Sequence, residues 1–426
     1  MTAARATRRQ FLKASTAGAA AFSFPAPLIA QGPGPPVVVI GGGFGGASCA
    51  RALCKAYPRL AVTLVEANAT YTALPHSNSV IAGLTDLAQQ QFGYDKIKSA
   101  GVTIALSAAS TVDSAARTVT LANGTKLNYE RLVVSPGIEF RAGAIQGYDR
   151  AAAELMPPAY NDGAQVAFIR RQLEAMEDGG TVVISSPVNP ARCPPAPYER
   201  ASLIAHYLKT KKPKSKVIVL DAKESFTMQK LFEAAWAELY PGVIEWVGLS
   251  QGGALSSVDV RTKTLSTDFD KYKANVASII PPQKAGGAAE LAGVADRTGW
   301  CPVDPITFES KLQKGIHVIG DAAIAGAMPR SASAAHSQAQ ICAAAIAALF
   351  AGKTPAAPML TSSCYSLVAP DYAISQKGTY RPADDQYAEA EGGPVISPQN
   401  APRSTRKAEA EQAGAWFRTL TGEVFG

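Results

Sequence analysis

The stretch Val37-Val38-Val39-Ile40-Gly41-Gly42-Gly43-Phe44-Gly45-Gly46 decides the fold of this chain. Its apolar, β-branched start predicts a buried parallel strand, and the glycines that follow predict a tight turn. The alanine-rich segment 47–55 predicts a helix, and residues 62–65 predict a second strand that ends at Glu66. This order of strand, turn, helix and strand predicts a βαβ unit of a parallel sheet.

Four residues of this unit are candidate cofactor-binding residues. Gly41 would form the tight turn, Gly43 would let the backbone approach a pyrophosphate, and Gly46 would let the helix pack closely on the strand. The amino terminus of the helix would supply N–H donors to the phosphates. Glu66 follows the last glycine by about 20 residues, the position at which an acid binds a ribose hydroxyl. The unit therefore predicts a dinucleotide site.

A second acid, far along the chain, indicates which dinucleotide is bound. Residues 315–322 predict a strand that ends in Gly320-Asp321, and residues 332–349 predict a helix after it. This arrangement resembles the two-part FAD site of the glutathione-reductase-like flavoproteins, in which the aspartate holds the ribityl chain. The resemblance implies that the cofactor is FAD, with Gly320 and Asp321 in its site.

The segment 131–137 resembles the strand and turn that close the first FAD half in the same family, which adds Pro136 and Gly137 to the candidate cofactor-binding residues. Because the two halves are far apart in sequence, we expect an inserted domain between them. We predict an α/β protein with two Rossmann-like three-layer domains and a C-terminal α+β domain. The predicted limits are 1–30 for an export signal, 35–150 and 286–354 for the two FAD halves, 151–285 for the insertion and 355–426 for the C-terminal domain.

The inserted domain repeats the βαβ pattern without a phosphate-binding turn. Residues 181–184 and 216–221 predict strands, and residues 198–208 predict the helix between them. The turn 185–197 holds five prolines and no glycine trio, and proline lacks the N–H group that a pyrophosphate needs. We therefore do not expect this domain to bind a nicotinamide dinucleotide.

The six cysteines fall into two groups. Cys49, Cys54 and Cys342 lie in alanine-rich helical segments, where a free cysteine is usually an inert core residue. Cys193 lies instead in the proline-stiffened turn, and Cys301 and Cys364 lie in other loops. Spacing does not say which of these two pairs with Cys193. No cysteine or histidine flanks them at metal-ligand spacing, so no metal site is predicted.

Five further segments carry a more specific resemblance: Cys193–Arg200, Lys212–Ile218, Ile280–Gln283, Gly299–Asp304 and Cys364–Pro370. On these segments, the chain resembles the flavoprotein subunit of flavocytochrome c sulfide dehydrogenase over residues 35–426. In that family a cysteine of a Cys-Pro-Pro loop and one of a Cys-Tyr-Ser segment form a redox disulfide beside the flavin, which implies Cys193 and Cys364 here and leaves Cys301 structural.

The resemblance implies a function and a partner. The chain would oxidise sulfide, a small inorganic substrate, to zero-valent sulfur or polysulfide and pass the electrons to a c-type cytochrome subunit. It has no Cys-x-x-Cys-His motif, so haem c is expected on the partner only. Two alternatives are a sulfide:quinone reductase and a non-catalytic flavoprotein that serves a sulfur-oxidation complex.

Three further features bear on the cofactor linkage, the proton acceptor and the cytochrome contact. Many family members attach FAD through a cysteine just before a Ser-Asn pair, but here Leu74 or a neighbour stands there, which predicts noncovalent FAD. Glu199 is a candidate catalytic proton acceptor, although a carboxylate at a helix start also complements the helix dipole. The apolar residues of the tail, among them Trp416, either dock the cytochrome or pack on their own domain.

Much of the net charge of +7 lies at the amino terminus. Residues 1–30 hold four basic residues and no acidic one, so the remainder is nearly neutral and no nucleic-acid partner is expected. Thr7-Arg8-Arg9-Gln10-Phe11-Leu12-Lys13, with the apolar run after it, resembles a twin-arginine export signal, which predicts a periplasmic protein. That run is shorter than the ~20 residues that span a bilayer, so an integral membrane protein is not expected.

Overall fold

The computed structural model describes residues 34–160 and 163–426. The predicted export signal lies outside the described residues. Between these limits the chain has the mixed α/β architecture that the sequence predicts.

The first sheet is parallel and takes strands from distant parts of the chain. Val37, Val38 and Val39 are fully buried at its centre, because both faces of the sheet are covered. Helices Phe44–Ala56 and Ala332–Phe350 pack against each other. The strands, in spatial order, are Ile316–Val318, Arg131–Val134, Pro36–Ile40, Ala61–Glu66 and Thr103–Leu106.

The second sheet is also parallel and is formed entirely between residues 181 and 279. This chain order is what an insertion between two FAD halves requires; the exact domain limits stay a prediction. The helix after its first strand continues to Lys211, beyond the predicted end near residue 208, because its apolar face stays buried through Leu208. Its strands, in spatial order, are Ile244–Val247, Lys216–Asp221, Thr181–Ser186 and Val276–Ile279, and its helices are Gly163–Ala175, Ala196–Lys211 and Gln229–Leu239.

Smaller elements connect the two sheets. Two three-stranded antiparallel sheets are Ala109–Asp113, Thr118–Leu121, Lys126–Asn128 and Leu255–Asp259, Thr264–Thr267, Lys271–Lys273. Two-stranded pairs are Tyr71–Thr72 with Gln91–Phe92, Ile138–Phe140 with Gln283–Ala285, and Cys301–Pro302 with Ala323–Ile324. The short helices are Ser77–Ile81, Leu87–Gln90, Asp95–Ser99, Arg150–Leu155, Leu249–Gln251, Ala288–Leu291 and Gly320–Ala322.

The C-terminal region is an antiparallel sheet followed by the helix Arg403–Val424. Its apolar residues make contacts within the chain, and docking of the cytochrome stays a prediction. Phe417 contacts His76 at a ring distance of 5.0 Å, Leu420 is buried, and Trp416 contacts Tyr365 at 5.8 Å. The strands of this sheet are Leu360–Ala369, Tyr372–Ala383, Gln386–Glu389 and Val395–Ile396. Among the described residues no helix is long and apolar enough to cross a membrane.

Candidate functional site

A cavity of about 370 Å³ lies where the glycine turn, the cysteine loop and the C-terminal sheet meet. Trp416, from the C-terminal helix, also lines it. Gly46 does not, because its Cα faces the backbone of Gly41. Ten of the candidate residues line the cavity: Gly41, Gly43, Glu66, Pro136, Gly137, Cys193, Glu199, Gly320, Asp321 and Cys364.

The glycine turn can accept no larger residue at two positions. Gly41 has a φ of 99°, and a Cβ there would lie 2.2 Å from the carbonyl oxygen of Ser135. A Cβ on Gly46 would lie 1.8 Å from the carbonyl oxygen of Gly41, so Gly46 serves close packing. The first turn of the helix Phe44–Ala56 carries no acidic residue. The helix amino terminus therefore remains available to an anionic ligand.

Glu66 reaches back to the same turn. Its Oε2 accepts a hydrogen bond from the Gly42 N–H at 2.7 Å, and its Oε1 accepts one from the Asn68 N–H at 2.9 Å. These bonds fix the carboxylate at the edge of the cavity. It is positioned where a ribose hydroxyl of a dinucleotide could bind.

Asp321 is a buried acid with spare hydrogen-bonding capacity. Burial raises the pKa of its carboxyl group, and Arg192 and Arg330 oppose that rise. Within the described part of the chain, its Oδ1 has no hydrogen-bond partner. A buried acceptor without a partner fits a ligand that bears hydroxyl groups. Together with the open glycine turn, this acid fits the ribityl chain and pyrophosphate of FAD.

Two of the three cysteines that the sequence places in loops meet in the cavity. The loop prediction is wrong for Cys364 and Cys301, which lie on strands. Cys193 lies in the turn before the helix Ala196–Lys211, and Cys364 lies on the strand Leu360–Ala369. Their side chains, both free thiols, hydrogen-bond to each other. This bond and burial raise the pKa of the Cys364 thiol. Spacing left Cys301 as an alternative partner, but Cys301 is fully buried elsewhere. The contact that a disulfide requires is therefore in place between Cys193 and Cys364.

A second cysteine contact lies away from the cavity. Cys342 hydrogen-bonds to Cys49 where their two helices pack together, and both side chains are fully buried. The sequence predicts inert core thiols at these positions, and the burial fits that prediction.

Glu199 faces the cavity near Cys364. Its Oε1 accepts a hydrogen bond from the Leu367 N–H at 2.9 Å, and its Oε2 accepts one from Asn78 Nδ2 at 2.8 Å. Burial nevertheless raises the pKa of this carboxyl group to about 7. A group with such a pKa exchanges protons readily at neutral pH. It also lies in the first turn of its helix, so the dipole role stands beside the catalytic one.

The sequence did not predict Asn78 and Arg200 as functional residues. Asn78 donates to Glu199, and Arg200 in turn holds Asn78. Arg200 is only 1% exposed, and its Nε donates to Asn78 Oδ1 at 3.0 Å. It also donates to Ser278 Oγ at 2.6 Å and to two backbone carbonyls. The Ser-Asn pair and the Cys-Pro-Pro segment drew attention to both positions, but the pattern gave no sign of their contact.

In the inserted domain, the acid at the position of a ribose-binding acid is bonded to other side chains of the same domain. Asp221 ends the strand Lys216–Asp221 as Glu66 ends its own strand, but Asp221 is fully buried. It pairs with Lys223 at 2.5 Å and accepts hydrogen bonds from Tyr198 and Trp246 at 2.5 and 3.0 Å. The acid is committed to internal partners, which supports the prediction that this domain binds no nicotinamide dinucleotide.

Leu74 lines the cavity, together with Pro75 and His76. That Leu74 or a neighbour stands at the position of the linking cysteine stays a prediction. Cys193 and Cys364 are the cysteines among the residues that line this cavity. Within the described ranges there is no group of three or more His, Cys, Asp or Glu residues that could hold a metal ion.

Three family models match the chain. Residues 35–167 match the pyridine nucleotide-disulphide oxidoreductase model. Residues 166–281 match the central domain of the sulfide dehydrogenase [flavocytochrome c] flavoprotein chain, and residues 356–425 match the flavin-binding domain of flavocytochrome c sulphide dehydrogenase.

Solved structures show the same fold. The sulfide:quinone oxidoreductase of Aquifex aeolicus superposes with a TM-score of 0.71 at 15% identity and covers 91% of this chain and 92% of its own. Putidaredoxin reductase, in its complex with putidaredoxin, gives 0.64 at 16% identity over 92% of this chain and 98% of its own. These neighbours confirm the predicted glutathione-reductase-like fold.

A curated relative is similar in sequence. The sulfide dehydrogenase [flavocytochrome c] flavoprotein chain of Chlorobaculum thiosulfatiphilum is 54% identical over 44 residues, which are 10% of this chain and 92% of that relative. With the two family-specific models, this match identifies the chain as a flavoprotein and an oxidoreductase. The chain belongs to the flavocytochrome c sulfide dehydrogenase flavoprotein family.

Proposed function

We propose that this chain is the FAD-dependent subunit of a sulfide dehydrogenase that oxidises sulfide to zero-valent sulfur or polysulfide through a Cys193–Cys364 disulfide. The observation that carries the proposal is the contact of these two side chains in the cavity that also holds Glu66 and Asp321. Electrons would leave to a c-type cytochrome subunit, because the chain has no haem-attachment motif of its own.

The first step is a thiol–disulfide exchange. Hydrosulfide attacks one sulfur of the Cys193–Cys364 disulfide, so that a new S–S bond forms and the disulfide bond breaks. One cysteine becomes a persulfide and the other a thiolate, and the two electrons lost by the sulfide sulfur reduce the disulfide. Glu199 takes up the proton that hydrosulfide carries, since its carboxyl group is partly ionised at neutral pH.

A second hydrosulfide would attack the outer sulfur of the persulfide, so that this sulfur leaves as polysulfide and the second cysteine becomes a thiolate. FAD, when bound, would supply the two-electron acceptor that returns the reduced cysteine pair to the disulfide. The glycine turn, Glu66 and Asp321 would hold it, and we propose that it is bound noncovalently, because Leu74 cannot form a thioether. The twin-arginine segment supports export of the folded protein to the periplasm.

Flavin bleaching by sulfide under anaerobic conditions tests the proposal. Cys193→Ser and Cys364→Ser should each abolish bleaching, whereas Cys54→Ser, a half-buried cysteine outside the cavity, should leave it unchanged. Wild-type bleaching rates in either cavity variant would contradict the cysteine mechanism.

The electron acceptor and the cofactor linkage need separate tests. Turnover with a c-type cytochrome but not with a soluble quinone is expected; the reverse would favour a sulfide:quinone reductase, and turnover with neither would favour a non-catalytic partner. After acid precipitation the flavin should remain in the supernatant, and a yellow pellet would contradict noncovalent binding.

A further inference from the structure

Arg192, the residue before Cys193, extends from the cysteine loop of the inserted domain to the FAD half of the cavity. Its Nε lies 3.9 Å from Asp321 Oδ2, and the two side chains are only 14% and 13% exposed. Its guanidinium also lies 5.4 Å from the ring centre of Tyr160. The side chain therefore crosses from one domain to the acid of the other.

Two polar atoms of this pair are buried without partners. Across the described ranges, Arg192 Nη2 and Asp321 Oδ1 have no hydrogen-bond partner. One is a donor and the other an acceptor, and both residues line the same cavity. A buried donor and a buried acceptor that do not satisfy each other are expected to bind a third group. A hydroxyl group satisfies both atoms, and a phosphate oxygen satisfies the guanidinium.

The backbone of the loop is tied to the same place. Arg192 N–H donates to Gln283 Oε1 at 2.7 Å, and Cys193 N–H donates to the Arg330 carbonyl at 2.8 Å. Arg330 Nε in turn donates to the Asp321 carbonyl at 2.8 Å. Cys193 itself has a φ of 51°, a left-handed conformation that a non-glycine residue adopts only where its surroundings impose it. The position of Cys193 thus depends on contacts made at Asp321.

We propose that Arg192 is a further FAD-binding residue, which donates from Nη2 to the hydroxyl-rich chain or the diphosphate of the cofactor and thereby links flavin occupancy to the position of Cys193. Guanidinium groups bind phosphate and vicinal oxygens strongly because their donors are charged and fixed in a plane. By reciprocity, a ligand that orders the loop is itself bound more tightly when the loop is ordered. The inference concerns the cofactor and does not depend on the substrate.

Fluorescence titration of the flavin-free protein tests the first half. Arg192→Gln should weaken FAD binding about tenfold, the effect of one charge-assisted hydrogen bond. Arg141→Gln is the matched control, because Arg141 donates to the carbonyls of Gln283 and Thr298 without lining the cavity. An unchanged Kd in Arg192→Gln, with an unchanged melting temperature of the flavin-free protein, would overturn the proposal.

Riboflavin and alkylation complete the test. If Arg192→Gln loses as much affinity for riboflavin, which lacks the phosphates, as for FAD, the contact is with the ribityl chain. If it loses affinity for FAD alone, the contact is with the diphosphate.

At saturating FAD, iodoacetamide should modify Cys193 several-fold faster in Arg192→Gln than in the wild type, while the Cys364 rate stays the same. Equal protection of Cys193 in both proteins would overturn the link to the cysteine loop.

Discussion

The two βαβ units of the molecule, residues 36–66 and 181–221, share a topology and differ at three places: the turn, the helix start and the acid that ends the second strand. In the first unit the turn is glycine and the helix start has no acid, so Glu66 and the N–H donors face a cavity. In the second, the turn carries prolines and Cys193, Glu199 occupies the helix start, and Asp221 is buried on Lys223. The same fold thus presents a cofactor site once and a cysteine site once.

The largest expected effect is at the first turn. Gly46→Ala should give no folded, flavin-loaded protein, because the new Cβ would lie 1.8 Å from a backbone oxygen. Gly93→Ala, where a Cβ would meet nothing within 4 Å, should fold and bind FAD normally. Pro194→Ala, in the second turn, should also fold. Flavin absorbance of the purified proteins is the measurement, and wild-type flavin content in Gly46→Ala would contradict the assignment.

Exchanging the two acids for amides should separate their roles. Asp221→Asn should lower the free energy of unfolding by about 3 kcal/mol, because it leaves Lys223 buried without its counter-charge, and should leave the Kd for FAD unchanged. Glu66→Gln should do the opposite and weaken FAD binding about tenfold. Urea unfolding and flavin titration measure the two quantities. A loss of stability in Glu66→Gln as large as that in Asp221→Asn would contradict the assignment of a binding role to Glu66 and a stabilising role to Asp221.

Glu199 gives the second unit a pH dependence. As a proton acceptor it acts when ionised, and because burial raises its pKa to about 7, the rate of sulfide-dependent flavin reduction should rise with pH through about 7. Glu199→Gln should lower the rate at pH 8 about tenfold or more. In this variant the rise of the rate with pH that comes from Glu199 should be absent, and only the rise that comes from ionisation of the substrate to hydrosulfide should remain. Stopped-flow bleaching at several pH values measures it, and identical profiles would favour the dipole role.

The smallest effect is expected at Asn78. Asn78→Leu removes the donor to Glu199 Oε2 and should raise the pKa of the Glu199 carboxyl group by about one unit, because the ionised form loses a hydrogen bond. Ser278→Ala removes a different partner of Arg200 and should leave that pKa unchanged. The infrared band of the protonated carboxyl, assigned by its absence in Glu199→Gln, reports the midpoint directly. An unmoved midpoint in Asn78→Leu would contradict this role.

Local patterns were enough to predict the first unit. The apolar strand, the glycine spacing and the acid near residue 66 are all set within some thirty residues, and the structure has them where expected. The helix starts at Phe44 rather than Ala47 because Gly43 serves as its N-cap. Patterns of this kind are local, so no tertiary information was needed.

The surroundings of the second unit depend on tertiary contacts and could not be predicted in this way. The donors to Glu199 come from Asn78 and Leu367, which are separated from it by 121 and 168 residues. The bond of Tyr198 to Asp221 depends on how the helix rotates over its strand. The choice of Cys364 over Cys301 required either a family resemblance or the folded chain.

The spatial order of the first sheet has a consequence for biosynthesis. Its strand Ile316–Val318 pairs with Arg131–Val134. The sheet therefore stays incomplete while the roughly 180 residues between these strands, which include the inserted domain, emerge from the ribosome. The strands of the second sheet are all contained in 181–279, so this sheet can form before the first sheet is complete. The Cys193 N–H, however, donates to the Arg330 carbonyl, and Arg330 is synthesised after the strand that completes the first sheet. Cofactor capture and the shaping of the thiol pair are thereby deferred to one late event in the maturation of the chain.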